Sequence, residues 1–132
     1  MTSRIVVIDG NNVMGAAADG WWRDRPAAVR RLLARLQCYR RATGDSLVLV
    51  LDVAQPDLPE GEHDGVMVRC ATRGGPDAAD DRIRQLVAES PQTDAEVEVV
   101  TSDRALAADA RQGGARVTGA GAFLARLDDA GC

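Results

Sequence analysis

Aspartate closes three apolar runs of this chain. The runs IVVI and LVLVL lead directly into Asp9 and Asp52, and VEVV leads through Thr101 and Ser102 into Asp103. If the three runs are neighbouring parallel strands, their carboxyl ends meet at the edge of the sheet where open α/β proteins bind ligands. Carboxylates gathered there repel one another and destabilise the fold unless a cation neutralises them. Oxygen ligands alone favour Mg²⁺ or Mn²⁺ over zinc.

A further acidic group lies in the segment PDAADDRI. Asp77, Asp80 and Asp81 are three and four residues apart, so they share one face of the first turn of a predicted helix. Asp80 stands three residues before Ile83 and seven before Val87, and it therefore borders the apolar stripe of that helix. An inward-leaning carboxylate needs a partner, which a cation shared with the strand-end aspartates would provide.

Each acid also has a purely structural interpretation. Acids in a first helical turn complement the macrodipole, and aspartate is common where a strand turns into a loop. Ser102 and Asp103 could simply cap the following helix. Arg82 or Arg104 could pair with the acids and make the cluster structural. The coincidence of all these acids is what indicates a cation site.

The composition excludes several classes of function. The 132 residues suit one domain, and 45% hydrophobic with 27% charged residues is typical of a soluble globular protein. The net charge is -4, and all 16 basic residues are arginine. The lack of lysine removes the Walker A phosphate loop and argues against Schiff-base chemistry, receiver domains and aspartate-nucleophile phosphatases.

Cysteine and histidine usage gives little sign of a further site. Cys38, Cys70 and Cys132 are odd in number and widely spaced, which predicts neither a disulfide framework nor a zinc knuckle and favours a reduced cytosol. His63 could bind metal with its acidic neighbours in GEHDG, but a solvated loop is favoured. No apolar run suits a signal peptide or a membrane span, so we expect a cytoplasmic protein without a membrane partner.

The hydrophobic pattern alternates between strands and helices. The stretch GNNVMG is turn-rich and 55–65 is predicted as a loop. Strands are expected at 5–8, 46–53, 66–70, 96–101 and 115–118, and helices at 26–43, 77–90, 103–112 and 120–129. This alternation predicts a parallel sheet covered on both faces, because each crossover helix lies over the sheet. We therefore expect an α/β fold, a three-layer α/β/α sandwich around a central, mainly parallel sheet, formed by 1–132 as a single domain.

Four segments, in order, resemble a known family. VVIDGNNVMG, VLVLD, PDAADDRI and VVTSD are similar to the YacP-like NYN domains of the PIN-like nuclease superfamily, over most of the chain. Asp9 and Asn12 match the family's D-G-x-N opening, Asp80 matches the helix acid of its A-D-x-x-I block, and Asp103 matches the acid of T-S-D. The chain is shorter than typical YacP-like proteins, and Asn11 replaces an aromatic residue of the opening motif.

The resemblance implies a PIN-like fold and metal-dependent endonucleolytic cleavage of RNA, in YacP-like members tied to ribosomes and hence to mRNA. It implies that Asp9, Asp80 and Asp103 hold one or two Mg²⁺ or Mn²⁺ ions that activate water and stabilise the reacting phosphate. Asp77 and Asp81 are then additional ligands or helix caps, and Asp52 is a peripheral acid.

RNA binding by an acidic protein needs local positive charge. Candidate RNA contacts are Asn12, Ser102, Trp21, Arg23 and Arg73. Of the adjacent pair Trp21 and Trp22, one could stack a base, while the alternative is that one closes the edge of the core. The arginine face of the first predicted helix is interpreted as a solvated face.

Two other classes of function stay open on the sequence. One is a binding module that uses the same cleft to hold RNA or a protein partner with little or no catalysis. The other is a phosphohydrolase of small phosphate esters, which would need a closed pocket with cationic loops. The sequence indicates no oligomeric state.

Overall fold

A computed structural model describes residues 3–17, 20–72, 74–75, 77–89 and 95–132. The strands are β1 (Ser3–Asp9), β2 (Ser46–Leu51), β3 (Gly61–His63), β4 (Val66–Cys70), β5 (Ala95–Val100) and β6 (Arg116–Thr118). The helices are α1 (Gly10–Ala16), α2 (Arg25–Thr43), α3 (Ala78–Glu89), α4 (Arg104–Gln112) and α5 (Ala120–Asp129), with a short 3₁₀ turn at Trp21–Arg23. No helix within the described residues has the length and apolar character needed to cross a membrane.

The sheet has the order β3-β4-β2-β1-β5-β6, and every neighbouring pair is parallel except β3 with β4. The α/β fold with a mainly parallel central sheet is therefore confirmed. Strand β1 lies in the middle, with Asp9 opposite Val50 of β2 and Ile8 opposite Val100 of β5. The carboxyl ends of β1, β2 and β5 thus meet at one edge, as the sequence pattern predicts.

Two apolar layers cover the sheet. On one face Val6 and Ile8 of β1 pack in a cluster with residues of α1, α2 and α5, including Phe123. On the other face Val7 packs in a separate cluster with residues of α3 and α4, including Ile83. Because β1 is buried on both faces, its sequence is a continuous apolar run rather than an alternating one. Side chains alternate along a strand, so Asp9 lies on the same face as Val7, towards α3 and α4.

The predicted bounds of α2 are close to those observed. The Asp24 side chain accepts a hydrogen bond from Ala27 N at 3.1 Å, and Pro26 occupies the first turn, where its missing N–H costs nothing. The helix ends at Gly44, whose φ of 78° is the left-handed conformation that glycine adopts most readily. These local signals fix both ends of α2.

The turn-rich stretch GNNVMG is wrongly predicted as a turn, because it forms most of α1. Val13 and Met14 bury their side chains in the core, and this packing overrides the weak helix propensity of glycine and asparagine. Gly10 allows the helix to begin directly at the sheet. A Cβ on Gly10 would lie 2.9 Å from Val50 O and 3.1 Å from the side chains of both Leu49 and Leu51.

The predicted loop at 55–65 contains strand β3, which pairs with β4 in an antiparallel hairpin. Asp64 and Gly65 form its turn with φ values of 48° and 90°. An Asp-Gly pair with two positive φ angles is a strong hairpin signal, and it could have identified β3 in the sequence.

The prediction that the cysteines form no disulfide is also wrong. Cys38 of α2 and Cys132 are joined by a disulfide bond with their Cα atoms 5.7 Å apart, although 94 positions separate them. Their approach depends on the packing of α5 beside α2, which cysteine spacing does not reveal. Cys70 is a free, buried cysteine.

Candidate active site

Asp9 is the most buried acid at the carboxyl edge of the sheet. Its side chain is 3% exposed, and the Thr101 hydroxyl donates a hydrogen bond to Asp9 Oδ2 at 3.0 Å. Burial is the main cause that raises the pKa of Asp9 from 3.8 to about 6. The hydrogen bonds from Thr101 and from the Asn12 backbone oppose this rise, whereas the negative charges of Asp80 and Asp103 add to it.

Asp103 follows β5 and begins α4. Its Oδ1 accepts a hydrogen bond from Leu106 N at 2.9 Å, so it is the N-cap of the helix, as the structural interpretation predicts. Its own backbone N–H donates to Thr101 Oγ1 at 3.1 Å. Thr101 therefore contacts both acids, and capping orients the Asp103 side chain without removing it from the cluster.

Asp80 approaches the same edge from α3. It is half-buried, between the buried residues Ala79 and Ile83. Burial is the first cause that raises the pKa of Asp80, and the charge of Asp103 is the second. The charges of Asp80 and Asp103 also raise the pKa of Asp9. The three carboxylates therefore lie within each other's electrostatic field. The structure thus brings Asp9, Asp80 and Asp103 together from three separate elements, and we call them the carboxylate cluster.

The two flanking acids of α3 differ from each other. Asp77 precedes the helix with a left-handed φ of 62°, which aspartate tolerates better than most residues, and its charge also raises the pKa of Asp80. Asp81 is exposed and forms an ion pair with Arg84 at 3.1 Å. Arg84 in turn binds Asp109 of α4 at 2.7 Å. Asp77 thus neighbours the cluster, whereas Asp81 takes part in a surface ion-pair network.

Asp52 has a cationic partner of its own. Arg25 Nη2 lies 2.8 Å from Asp52 Oδ1 and 3.1 Å from Asn11 Oδ1, and the guanidinium stands 5.4 Å from the centre of the Trp21 ring. Asp52 is not among the charges that raise the pKa of Asp9 or Asp80. These contacts describe a peripheral acid that holds the start of α2 against the sheet edge.

Asn12 and Ser102 make contacts that sequence reasoning did not anticipate. Asn12 Oδ1 accepts a hydrogen bond from Ser102 N at 2.7 Å, which ties α1 to the turn after β5. Ser102 Oγ accepts from Ala120 N at 2.9 Å, at the first residue of α5. Both side chains therefore brace the turn that carries Asp103.

The two tryptophans differ in their burial. Trp21 is partly buried and packs against the core, which is the core-edge alternative. Trp22 is 61% exposed, with the Arg23 guanidinium 5.7 Å from the centre of its ring. Arg73 lies outside the described residues. Trp22 is thus the more exposed of the two rings, and the prediction that Trp21 contacts RNA stays a prediction.

The two arginines considered as structural partners form no ion pair with the cluster among the described residues. Arg82 donates to Gln85 Oε1 at 2.9 Å, and Arg104 forms no ion pair with any acid that the structure describes. His63 lies on β3, three strands away from β1, where its Nε2 is 2.7 Å from Pro59 O. Neither arginine neutralises the cluster, and His63 is remote from it.

The carboxylate cluster has the donor chemistry of a Mg²⁺ or Mn²⁺ site, since it offers oxygen atoms only and its charges repel. Within the described ranges, however, no group of three or more His, Cys, Asp or Glu side chains stands close enough to hold a metal ion as placed. Asp9 directs one oxygen to Thr101, and Asp103 directs one to Leu106 N. Two carboxylate oxygens of the cluster are therefore engaged in hydrogen bonds within the protein.

Comparison with known proteins agrees with this architecture. The family model described as YacP-like NYN domain matches residues 6–131. The crystal structure of Rae1 (YacP) from Bacillus subtilis is similar with a TM-score of 0.75 and 24% identity, over 96% of this chain and 74% of that chain. The W164L mutant of the same protein gives a TM-score of 0.72 and 22% identity, over 97% of this chain and 77% of the other. No match was found among curated proteins.

At these identities the two crystal structures establish a shared fold. The family model covers far more than half of the chain, including all three members of the carboxylate cluster. The chain is a member of the YacP-like NYN domain family.

Proposed function

We propose that this domain is a metal-dependent endoribonuclease whose carboxylate cluster binds Mg²⁺ or Mn²⁺. The NYN domain has a PIN-like nuclease fold, which supports a nuclease and an RNA-related role. The observation that carries the proposal is the convergence of Asp9, Asp80 and Asp103 from three elements. None of the three forms an ion pair with an arginine among the described residues. Arg84 offsets part of the charge of Asp80, but it is itself bound to Asp81 and Asp109, so the cluster keeps a net negative charge that favours an external cation.

In this proposal the chain's own groups position the reaction. Thr101 holds the Asp9 carboxylate from inside the sheet, and two backbone N–H contacts fix the turn at Asp103. Asp80 supplies the third carboxylate from α3. When bound, the cation would supply Lewis-acid stabilisation of the phosphate and lower the pKa of a water nucleophile. A histidine base is not needed, which accords with the remote position of His63.

RNA is the proposed substrate, and the resemblance to YacP-like domains extends the proposal to mRNA on the ribosome in the cytoplasm. The exposed Trp22 beside Arg23 supports a single-stranded substrate, because an unpaired base can stack on an indole next to a cation. Purified ribosome–mRNA complexes, compared with the same mRNA free in solution, would test the ribosome part of the proposal. Equal cleavage of both would remove it and leave the RNA substrate in place.

A second candidate function is an RNA-binding or partner-binding module without catalysis. The observation that favours it is the lack, among the described side chains, of a group already arranged to hold a metal ion. This module would bind single-stranded RNA with the same affinity whether or not Mn²⁺ is present. The nuclease proposal predicts that Mn²⁺ produces cleaved fragments.

The proposal is tested by RNA cleavage with wild type, Asp80→Asn and Asp129→Asn. Asp129 is an exposed acid at the end of α5 and is the matched control. We expect Mn²⁺-dependent fragments from wild type and Asp129→Asn, and a loss of more than about a hundredfold in rate for Asp80→Asn. In thermal unfolding, Mn²⁺ should raise the melting temperature of the two active proteins only. Absence of both cleavage and Mn²⁺ stabilisation in wild type would refute the nuclease proposal.

A further inference from the structure

An open groove lies beside α4 and includes Asp103 of the carboxylate cluster together with Thr101 and Ser102 before it. Its volume is about 440 Å³, and its lining includes Asp103, Arg104, Ala107, Arg111, Val117 and Gly119. The groove lies between α4 and the segment around β6, and we call it the α4–β6 groove. Because Asp103 belongs to both, a chain that leaves the cluster along this side enters the groove directly.

Two arginines on one helix face give the groove its positive charge. Arg104 and Arg111 are exposed and seven residues apart, which places them two turns apart on the same side of α4, with a rise of about 10 Å between them. Neither forms a hydrogen bond or ion pair with another described residue. By contrast, Arg25, Arg84 and Arg126 are all bound to carboxylates.

The rest of the groove lining excludes recognition by stacking. Ala107 and Val117 offer small apolar surfaces, Gly119 offers backbone, and none of the described residues that line the groove is aromatic. Guanidinium groups bind phosphate oxygens through paired N–H donors, whatever the base. The groove therefore matches the backbone of a nucleic acid rather than its bases.

We propose that Arg104 and Arg111 bind backbone phosphates of the RNA strand next to the cleaved bond, so that the α4–β6 groove positions substrate without reading its sequence. This inference rests on the proposed RNA cleavage at the carboxylate cluster. The two arginines are positioning residues. Their contribution is to substrate affinity, and the reacting phosphate belongs to the cluster.

The test compares wild type with Arg104→Gln/Arg111→Gln and with the control Arg41→Gln. Arg41 is also exposed, but it lies in the last turn of α2, at the opposite edge of the sheet. Binding of short fluorescein-labelled oligouridylate and oligoadenylate is measured by anisotropy in EDTA at several salt concentrations. Cleavage of the same RNAs in Mn²⁺ is measured in parallel.

We expect the double variant to bind both RNAs about tenfold more weakly. The slope of log Kd against log salt should fall by about 1.4, since each lost single-strand phosphate contact contributes about 0.7. KM for cleavage should rise with little change in kcat, because the lost contacts bind neighbouring phosphates and not the reacting phosphate itself. Arg41→Gln should match wild type in every measurement.

The outcomes separate this inference from the proposed function. Unchanged affinity and salt slope in the double variant overturn the groove inference, even if wild type cleaves RNA. No measurable binding of either RNA by wild type overturns it as well. Weakened binding of the double variant supports the groove even if no protein cleaves RNA, and only the nuclease proposal would then fail. A loss confined to one of the two RNAs overturns the claim that the groove ignores sequence.

Discussion

The Thr101 hydroxyl, directly after β5, donates a hydrogen bond to Asp9 Oδ2 at the end of β1, at a distance of 3.0 Å. Thr101 Oγ1 in turn accepts a hydrogen bond from the backbone N–H of Asp103 at 3.1 Å. One buried side chain therefore fixes the spacing between two members of the carboxylate cluster. Thr101 is 1% exposed, so water cannot replace its hydrogen bonds.

Replacing Thr101 tests this connection. Thr101→Val keeps the volume and leaves two buried groups without a partner, so we expect a loss of about 1–3 kcal/mol in the free energy of unfolding, measured with urea. RNA cleavage should fall as well. Thr101→Ser keeps the hydroxyl and is the control, for which most of the activity should return. Equal activity in Thr101→Val and wild type would show that the hydroxyl does not position the cluster.

Asp9→Asn should stabilise the metal-free protein at neutral pH. The pKa of Asp9 is raised to about 6 in the fold from 3.8, so the folded state retains a proton that the unfolded state releases between these values. The Asp9 contribution to the free energy of unfolding therefore falls as pH rises from about 4 to about 6, by a total of about 3 kcal/mol. Above that range Asp9→Asn avoids this cost.

Urea unfolding in EDTA measures this effect at pH 7.5 and at pH 4. The difference between Asp9→Asn and wild type should be large at the higher pH and small at the lower. The amide oxygen of the variant can still accept from Thr101. A variant less stable than wild type at both pH values would contradict the claim that ionised Asp9 is unfavourable without a cation.

Gly10→Ala should destabilise the fold, because the added Cβ would lie 2.9 Å from the backbone oxygen of Val50. This contact requires the start of α1 to move from the sheet, at a cost of about 1–3 kcal/mol. Gly121→Ala, in α5, is the control because an added Cβ there has nothing within 4 Å. Thermal unfolding of both variants separates the effects. Equal melting temperatures in Gly10→Ala and wild type would show that α1 does not depend on this close approach.

The Cys38–Cys132 disulfide should stabilise the domain by about 2–4 kcal/mol, since it closes a long loop in the unfolded chain. Cys132→Ser, or reduction of wild type, should lower the melting temperature, whereas reduction of Cys132→Ser should have no further effect. Mass spectrometry after alkylation checks the bond directly. Three alkylated cysteines in protein purified under oxidising conditions would show that the bond does not form.

Much of the fold follows from local sequence. The ends of α2 are predicted because Asp24, Pro26 and Gly44 act within a few residues of the helix termini. The strands β1 and β2 are predicted because burial on both faces makes them apolar runs, and β5 is predicted from its valines although Glu98 within it is buried and paired with Arg126. Helix α1 was not predicted, since Val13 and Met14 are helical only through their contacts with other elements. Strand β3 was missed although the Asp64–Gly65 turn carries a hairpin signal.

The residues of the candidate site were likewise predictable where local sequence places them, and unpredictable where distant elements bring them together. Asp9 and Asp103 are found because the ends of parallel strands converge, and Asp80 is found because it borders a helical stripe. The pairing of Arg25 with Asp52 and of Asn12 with Ser102 joins residues that are remote in sequence. Such contacts depend on where neighbouring elements pack, which local patterns do not encode. The α4–β6 groove likewise depends on how two elements pack and could not be predicted from local sequence.

The most direct test of the central claim, that the carboxylate cluster binds a divalent cation, is a Mn²⁺ titration followed by electron paramagnetic resonance of the free ion. Wild type and Asp129→Asn should remove Mn²⁺ from solution with the same affinity. Asp80→Asn should bind it at least about tenfold more weakly, because one of the carboxylate ligands is lost. Equal binding by Asp80→Asn and wild type, or no binding by wild type, would contradict the account.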